Sequence, residues 1–150
     1  MEYRNLGKSG LKVSPVVLGC MSYGTPDWRE WVLDEKESLP LLDHGLSEEL
    51  FSKAIKKYKL PGEDMTILSK CYFGVTAKTP SNAVSEVSNN CGDLVNQVGL
   101  SRKHNLGAVE KSVARIGTYI DVLQIHRLDR ETPREEIMRA LNDVTQSGKV

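Results

Sequence analysis

The sequence lacks an excess of charge of either sign. Its 150 residues carry 20 lysines and arginines against 20 aspartates and glutamates, so the formal net charge is zero. The chain therefore has no net positive charge that would attract a polyanion or an anionic bilayer. We expect neither nucleic acid nor a membrane surface as a partner.

Paired cysteines and long apolar runs are also absent. Cys20, Cys71 and Cys91 are odd in number and form no CxxC pair, which argues against a disulfide framework and a structural zinc site. The amino-terminal segment has no basic region followed by an apolar core, and no apolar run approaches the ~20 residues that span a bilayer. The sequence therefore predicts a soluble cytoplasmic protein with reduced thiols and no metal site.

The apolar runs that are present predict strands. Residues 3–6 and 11–13 flank a turn rich in glycine and predict a β-hairpin. Short apolar runs are typical of fully buried parallel strands, and they occur at residues 15–19, 65–69 and 120–125.

Helical spacing separates these strands. Apolar residues recur on one stripe over 47–58, 101–117 and 132–148. The last helix opens on Thr132-Pro133-Arg134-Glu135, a pattern that predicts a capping box with proline at the first helical position. Asp34 and Glu37 form a pattern like a capping box and predict the start of a short helix. The result is an α/β chain of alternating strands and helices.

One strand is missing from the alternation. Two predicted helices follow one another with no strand between Leu42 and Leu46. In a parallel sheet each crossover helix joins two strands. Either the chain departs from the repeat here, or a strand is deleted near His44-Gly45. Residues 74–99 show no clear periodicity and predict a long loop or disordered insertion. The chain stops at Val150, where a further strand would be expected.

Two ionisable residues follow predicted strands. Lys70 comes directly after the second buried run and His126 after the third. The carboxyl ends of parallel strands form the active-site face of α/β sheets and barrels. A lone lysine at such a position is more often a solvated cap, but the pair makes a candidate site.

Several segments together resemble the aldo-keto reductase family. MEYRNLGKSGLKVSPVVLGCMSYG is similar to the opening of fungal and bacterial members, ILSKCYFGV and IDVLQIHRLD to their third and fourth strands, and ETPREEIMRALNDVTQSGKV to the helix that follows. The resemblance covers nearly the whole chain except residues 74–96. It implies a partial (β/α)8 TIM barrel, the amino-terminal half, so that residues 1–150 form one incomplete oxidoreductase domain.

The resemblance also implies an activity. Such enzymes reduce aldehydes and ketones by hydride transfer from NADPH, with a tyrosine as general acid that a lysine, an aspartate and a histidine assist. Lys70 matches the lysine and His126 the histidine. A cation beside the tyrosine tunes its pKa, and the histidine orients the carbonyl. Gly19, Cys20 and Met21 match the loop beside the nicotinamide, although Gly19 is nearly as well explained as a strand terminator.

The chain departs from the family pattern at the catalytic residues and at the phosphate site of the cofactor. The aspartate and the tyrosine belong to the second strand and the loop after it, the stretch missing between His44 and Gly45. A complete barrel takes about 250 residues, and its phosphate site usually comes from loops after strands seven and eight. The resemblance thus implies a small carbonyl substrate and NADP, with impaired activity. A non-catalytic interaction module that associates through open strand edges and a misread gene remain alternatives.

Three further residues receive structural interpretations. Cys71 is expected to be an inert buried thiol, His104 an exposed residue at a helix end, and Asp129 part of a solvated turn.

Overall fold

The computed structural model describes residues 2–20, 47–75, 90 and 92–150. The predicted helix start at Asp34, the joint between His44 and Gly45, and Met21 lie outside these ranges, as does most of segment 74–99.

The chain begins with two short antiparallel strands. Strand β1 (Arg4–Asn5) pairs with β2 (Lys12–Val13), and Arg4 lies opposite Val13. The amide of Leu6 donates to the carbonyl oxygen of Leu11 over 2.8 Å, which closes the turn between the strands.

The strand predicted over residues 15–19 is wrong. These residues form no strand, and the side chains of Val16, Val17 and Leu18 are exposed, Val16 to 81%. A parallel strand exists only through hydrogen bonds to a neighbour. Within the described residues no strand pairs with this segment, so its apolar run has nothing to pack against.

Two parallel strands form the second sheet. Strand β3 (Leu68–Cys71) pairs with β4 (Val122–Ile125), with Leu68 opposite Val122 and Lys70 opposite Gln124. Both strands begin later than the apolar runs indicate, and β3 continues to Cys71, two residues past the predicted end at residue 69. Lys70 therefore lies inside β3 instead of directly after it.

An aspartate fixes where the ladder begins. The Asp121 carboxylate accepts a hydrogen bond from the amide of Ile67 over 2.8 Å, while the carbonyl oxygen of Ile67 accepts from the amide of Asp121. This reciprocal pair sets the register just before the two strands.

Three helices follow the predicted stripes and confirm them. Their bounds are α1 (Ser47–Tyr58), α2 (Arg102–Ile116) and α3 (Arg134–Gln146). The Ser101 side chain accepts from the amide of His104 at the start of α2, and Gly117 ends that helix with a φ of 85°.

The predicted capping box of α3 is wrong. Pro133 is the N-cap and provides no side-chain hydrogen bond to the helix. The Thr132 hydroxyl donates instead to the Asp129 carboxylate over 2.7 Å. This charge-assisted hydrogen bond ties the Thr132 side chain to the loop that precedes the helix.

Segment 92–100 packs against the rest of the chain. It contains a 3-10 helix, Gly92–Leu94, and buries Leu94, Val98 and Leu100. The amide of Gly99 donates to the carbonyl oxygen of Tyr72 over 2.9 Å. These contacts join the start of α2 to the residues that follow β3.

The apolar core lies between the helices and one face of the β3–β4 sheet. Ile67, Ile116 and Ile120 form its centre. Ser69 and Cys71 point to this side, because Ser69 donates to Glu48 of α1 and Cys71 to Asn105 of α2.

The alternation of a strand places Leu68 and Lys70 on the opposite face, and both are exposed. The described residues thus form an α/β layer with one open sheet face, and no closed barrel.

Candidate active site

Strands β3 and β4 bring the two predicted site residues together. Lys70 lies on the open face of the sheet, opposite Gln124. His126 follows β4 directly, and its amide donates to the carbonyl oxygen of Cys71 over 3.1 Å. The ladder therefore continues one residue past Ile125, and His126 lies at the same end of the sheet as Lys70.

Partial burial and two nearby positive charges favour the neutral form of the His126 imidazole. Burial lowers the pKa of His126 most, followed by the positive charges of Lys70 and of Arg127. A neutral imidazole carries one N–H donor and one acceptor nitrogen. At pH 7 the ring can donate a hydrogen bond without carrying a charge of its own.

An aromatic ring that the sequence analysis did not single out contacts His126. The rings of Phe73 and His126 meet edge to face, with 4.9 Å between centroids and an interplanar angle of 81°. The guanidinium carbon of Arg127 lies 5.3 Å from the centre of the same Phe73 ring. No sequence pattern marks this contact, because Phe73 and His126 are brought together only by strand pairing.

The Asp129 carboxylate anchors the loop after His126, a role that the prediction of a solvated turn did not include. It accepts from the amide of Leu100 (2.8 Å), the amide of Glu131 (2.9 Å), and the hydroxyl and amide of Thr132 (2.7 and 3.3 Å). Burial alone raises the pKa of Asp129, but hydrogen bonds from Thr132, Leu100 and Glu131 outweigh it and hold that pKa below its ordinary value.

A glycine makes this anchor sterically feasible. Gly99 has a φ of 93°, and a Cβ atom added to it would lie 2.7 Å from the Asp129 carboxylate. Only a residue without a side chain fits both the backbone conformation and the carboxylate.

The thiol beside Lys70 in sequence is unsuited to chemistry, as predicted. Cys71 is buried, and burial raises its pKa to about 12. Its thiol donates to the side-chain oxygen of Asn105 over 3.2 Å. A thiol in this setting remains protonated at neutral pH and is a poor nucleophile.

The expectation that His104 is exposed is wrong. Only 6% of the residue is accessible, and its Nε2 atom is buried without a hydrogen-bond partner. Burial lowers the pKa of His104 most, and the charge of Lys111 adds to this, whereas a hydrogen bond with the Tyr72 backbone opposes it.

The described part of the predicted cofactor loop is open around Gly19. A Cβ atom added at Gly19 would meet nothing within 4 Å, so no neighbouring group requires a glycine there. The Cys20 thiol lies 3.8 Å from the carbonyl oxygen of Leu18 in its own loop. The assignment of Gly19, Cys20 and Met21 to a loop beside the nicotinamide stays a prediction, and Met21 lies outside the described residues.

The part of the chain that the structure describes contains neither a metal-ligating cluster nor a membrane-spanning helix. No three histidine, cysteine, aspartate or glutamate residues there lie close enough together to hold a metal ion. No helix there is long and apolar enough to cross a membrane.

Comparison with known proteins gives one consistent family. The sequence model of the aldo/keto reductase family matches residues 40–150. Versiconal hemiacetal acetate reductase of Aspergillus parasiticus is 58% identical over 168 residues, which cover 99% of this chain and 49% of that protein. An aldo-keto reductase of Metarhizium robertsii is 40% identical over 174 residues, covering 100% of this chain and 47% of that protein. The chain thus spans about half the length of these relatives.

Proposed function

The chain belongs to the aldo/keto reductase family, and we propose that Lys70 and His126 are the inherited part of a site that reduces small aldehydes or ketones. The observation that carries the proposal is their meeting at one end of two neighbouring parallel strands. Enzymes with parallel α/β barrels place their catalytic groups at that end of the strands. Names of the relatives agree with an oxidoreductase role.

The two side chains supply complementary functions toward a carbonyl. The neutral imidazole of His126 donates a hydrogen bond to the carbonyl oxygen, which orients the substrate and stabilises the negative charge that develops there. The Lys70 ammonium favours the ionised form of a neighbouring acid and so lowers its pKa toward the working range. Aldo-keto reductases generally take their hydride from a nicotinamide cofactor. We propose NADP from the family resemblance alone.

We further propose that this chain by itself is catalytically impaired. The match to the Metarhizium robertsii relative runs over 174 aligned positions, although this chain has only 150 residues, so the relative contains internal residues with no counterpart here. We place these residues near His44-Gly45 from the family pattern, in which the second strand and the loop after it carry the aspartate and the tyrosine acid. Without the acid, the alkoxide has no positioned proton donor.

Restoration of activity tests the proposal. One variant receives a second strand with the family's aspartate and tyrosine, a second is joined to the carboxy-terminal half of a relative, and a third receives both. We expect NADPH-dependent reduction of a simple aldehyde only in the third variant, and a tyrosine-to-phenylalanine change in the inserted strand should abolish it. A folded third variant that binds NADPH yet reduces no aldehyde would contradict the assignment.

Cofactor binding by the unmodified chain is a separate test. The chain should neither quench nor shift NADPH fluorescence at micromolar cofactor. Saturable binding in this titration would show that the proposed impairment does not extend to the cofactor site. Sequencing the genomic DNA between the codons for His44 and Gly45 tests the misread-gene alternative, which an open frame encoding the strand would support.

A second candidate function is association with another chain. Within the described residues, β3 and β4 pair only with each other, so each has an outer edge whose amides and carbonyls face no strand. Such edges pair readily with further strands. Light scattering should reveal oligomers, whereas a sharp monomer with cooperative melting would contradict this candidate.

A further inference from the structure

A single aromatic ring contacts two consecutive residues at the end of β4. Phe73 meets the imidazole of His126 at 4.9 Å and the guanidinium of Arg127 at 5.3 Å. Consecutive residues of a strand point to opposite faces of the sheet. Both reach one ring because β4 ends at Ile125 and the chain bends at residues 126–127.

The bend is held from both sides. Upstream, the amide of His126 remains bonded to the carbonyl oxygen of Cys71. Downstream, the Asp129 carboxylate is bonded to amides of its own loop and to Leu100. Neither anchor touches the imidazole side chain. Phe73 provides the ring contact that restricts where the imidazole points.

We propose that Phe73 is a positioning residue for His126, with its ring seating the imidazole and holding the Arg127 guanidinium beside it. The proposal extends the proposed function, because it takes His126 as a site residue. In this arrangement the Phe73 ring fixes the direction of the imidazole N–H. The ring also keeps the Arg127 guanidinium beside the imidazole, and this positive charge favours the neutral imidazole over imidazolium.

Because charged groups surround His126, removal of the Phe73 ring should change the pKa of His126 measurably. Lys70 reaches it from β3 and Arg127 from the adjacent position, and both disfavour a second positive charge. The acidic residue of the same loop, Asp129, is engaged by main-chain amides and the Thr132 hydroxyl. Loss of the Phe73 ring would expose the imidazole to water and release Arg127. Both changes raise the pKa of His126.

The test is an NMR titration of the 150-residue chain itself. His126 is assigned among the three histidines by loss of its signal in His126→Gln. In Phe73→Leu we expect the His126 pKa to rise toward about 6.5, the ordinary histidine value. Phe73→Tyr keeps the ring and should leave the titration as in the unsubstituted chain. The Arg127 side-chain protons, shifted upfield by the ring, should lose that shift only in Phe73→Leu.

A surface substitution protects the test against misfolding of Phe73→Leu. Arg127→Gln removes an exposed side chain and leaves the ring in place. Arg127→Gln should raise the His126 pKa. The increase should be smaller in the Phe73→Leu background, where the guanidinium is no longer held beside the imidazole.

The proposal is overturned if Arg127→Gln leaves the His126 titration unchanged, or if a folded Phe73→Leu chain titrates like Phe73→Tyr. These outcomes are independent of the proposed function, since they require neither cofactor nor turnover. Conversely, an inactive rebuilt enzyme whose His126 titrates as expected would refute the carbonyl-reducing role and keep the positioning contact.

Discussion

The amide of His126 donates to the carbonyl oxygen of Cys71 over 3.1 Å, one residue beyond the last strand pair, Cys71 and Ile125. This hydrogen bond fixes the backbone of His126 relative to β3, on which Lys70 directly precedes Cys71. Because the bond joins main-chain atoms, side-chain substitutions at Lys70 or His126 should leave the relative backbone positions largely intact.

Asp129 should contribute strongly to stability. We expect Asp129→Ala to lower the free energy of unfolding by roughly 1–3 kcal/mol, because it leaves amides of Leu100, Glu131 and Thr132 without their charged acceptor. Urea denaturation measures the change. Arg130→Ala, at an exposed neighbouring position, is the control and should stay within about 0.5 kcal/mol of the unsubstituted chain. Equal effects of the two substitutions would argue against an anchoring role for Asp129.

Buried His104 should make the fold sensitive to mild acid. Its pKa is lowered in the folded chain, so as pH falls through about 6.5 the unfolded chain takes up a proton that the folded chain refuses. Stability is therefore full above that pH and declines below it, until the folded-state pKa is reached.

Urea denaturation from pH 7.5 to pH 5 measures this slope. His104→Leu should flatten it, whereas His126→Gln, at an exposed site, should flatten it less. An unchanged slope in His104→Leu would show that other groups cause the acid sensitivity.

Cys71 should resist thiol reagents in the folded chain. Its pKa is raised to about 12 by burial, so it carries almost no thiolate at pH 8. A variant with Cys20→Ser and Cys91→Ser leaves Cys71 as the single thiol. It should react with Ellman's reagent only after denaturant is added. Half-buried Cys20, tested in the matched Cys71→Ser and Cys91→Ser variant, should react in native buffer. Similar labelling of Cys71 in native buffer and in denaturant would contradict its burial.

The helices could be predicted well because their evidence is local. A stripe such as Val109, Val113 and Ile116 is a property of one segment, and the structure places α2 close to the predicted range. The Ser101 cap and Gly117 end are likewise set by neighbours in sequence. The approximate positions of β3 and β4 followed from short apolar runs for the same reason.

Features that depend on distant partners could not be predicted. The apolar run at Val16–Leu18 looks like a strand, but a strand requires a pairing neighbour that no local pattern reveals. The Thr132 hydroxyl was expected to cap a helix and instead bonds Asp129, which also binds Leu100, 29 residues away in sequence. Phe73 was missed because its contacts with His126 and Arg127 arise from the pairing of β3 with β4 and from the bend at residues 126–127.

The turnover of a rebuilt enzyme carrying Lys70→Met tests the central claim most directly. The substitution removes the cation that tunes the acid and keeps a side chain of similar length on the open sheet face. In the variant that carries both the second strand and the carboxy-terminal half of a relative, we predict a fall in kcat of roughly 100-fold or more. Lys103→Met on the exposed side of α2 should leave kcat unchanged. If Lys70→Met leaves kcat within about threefold, less than ~1 kcal/mol of barrier, Lys70 is not part of the catalytic site.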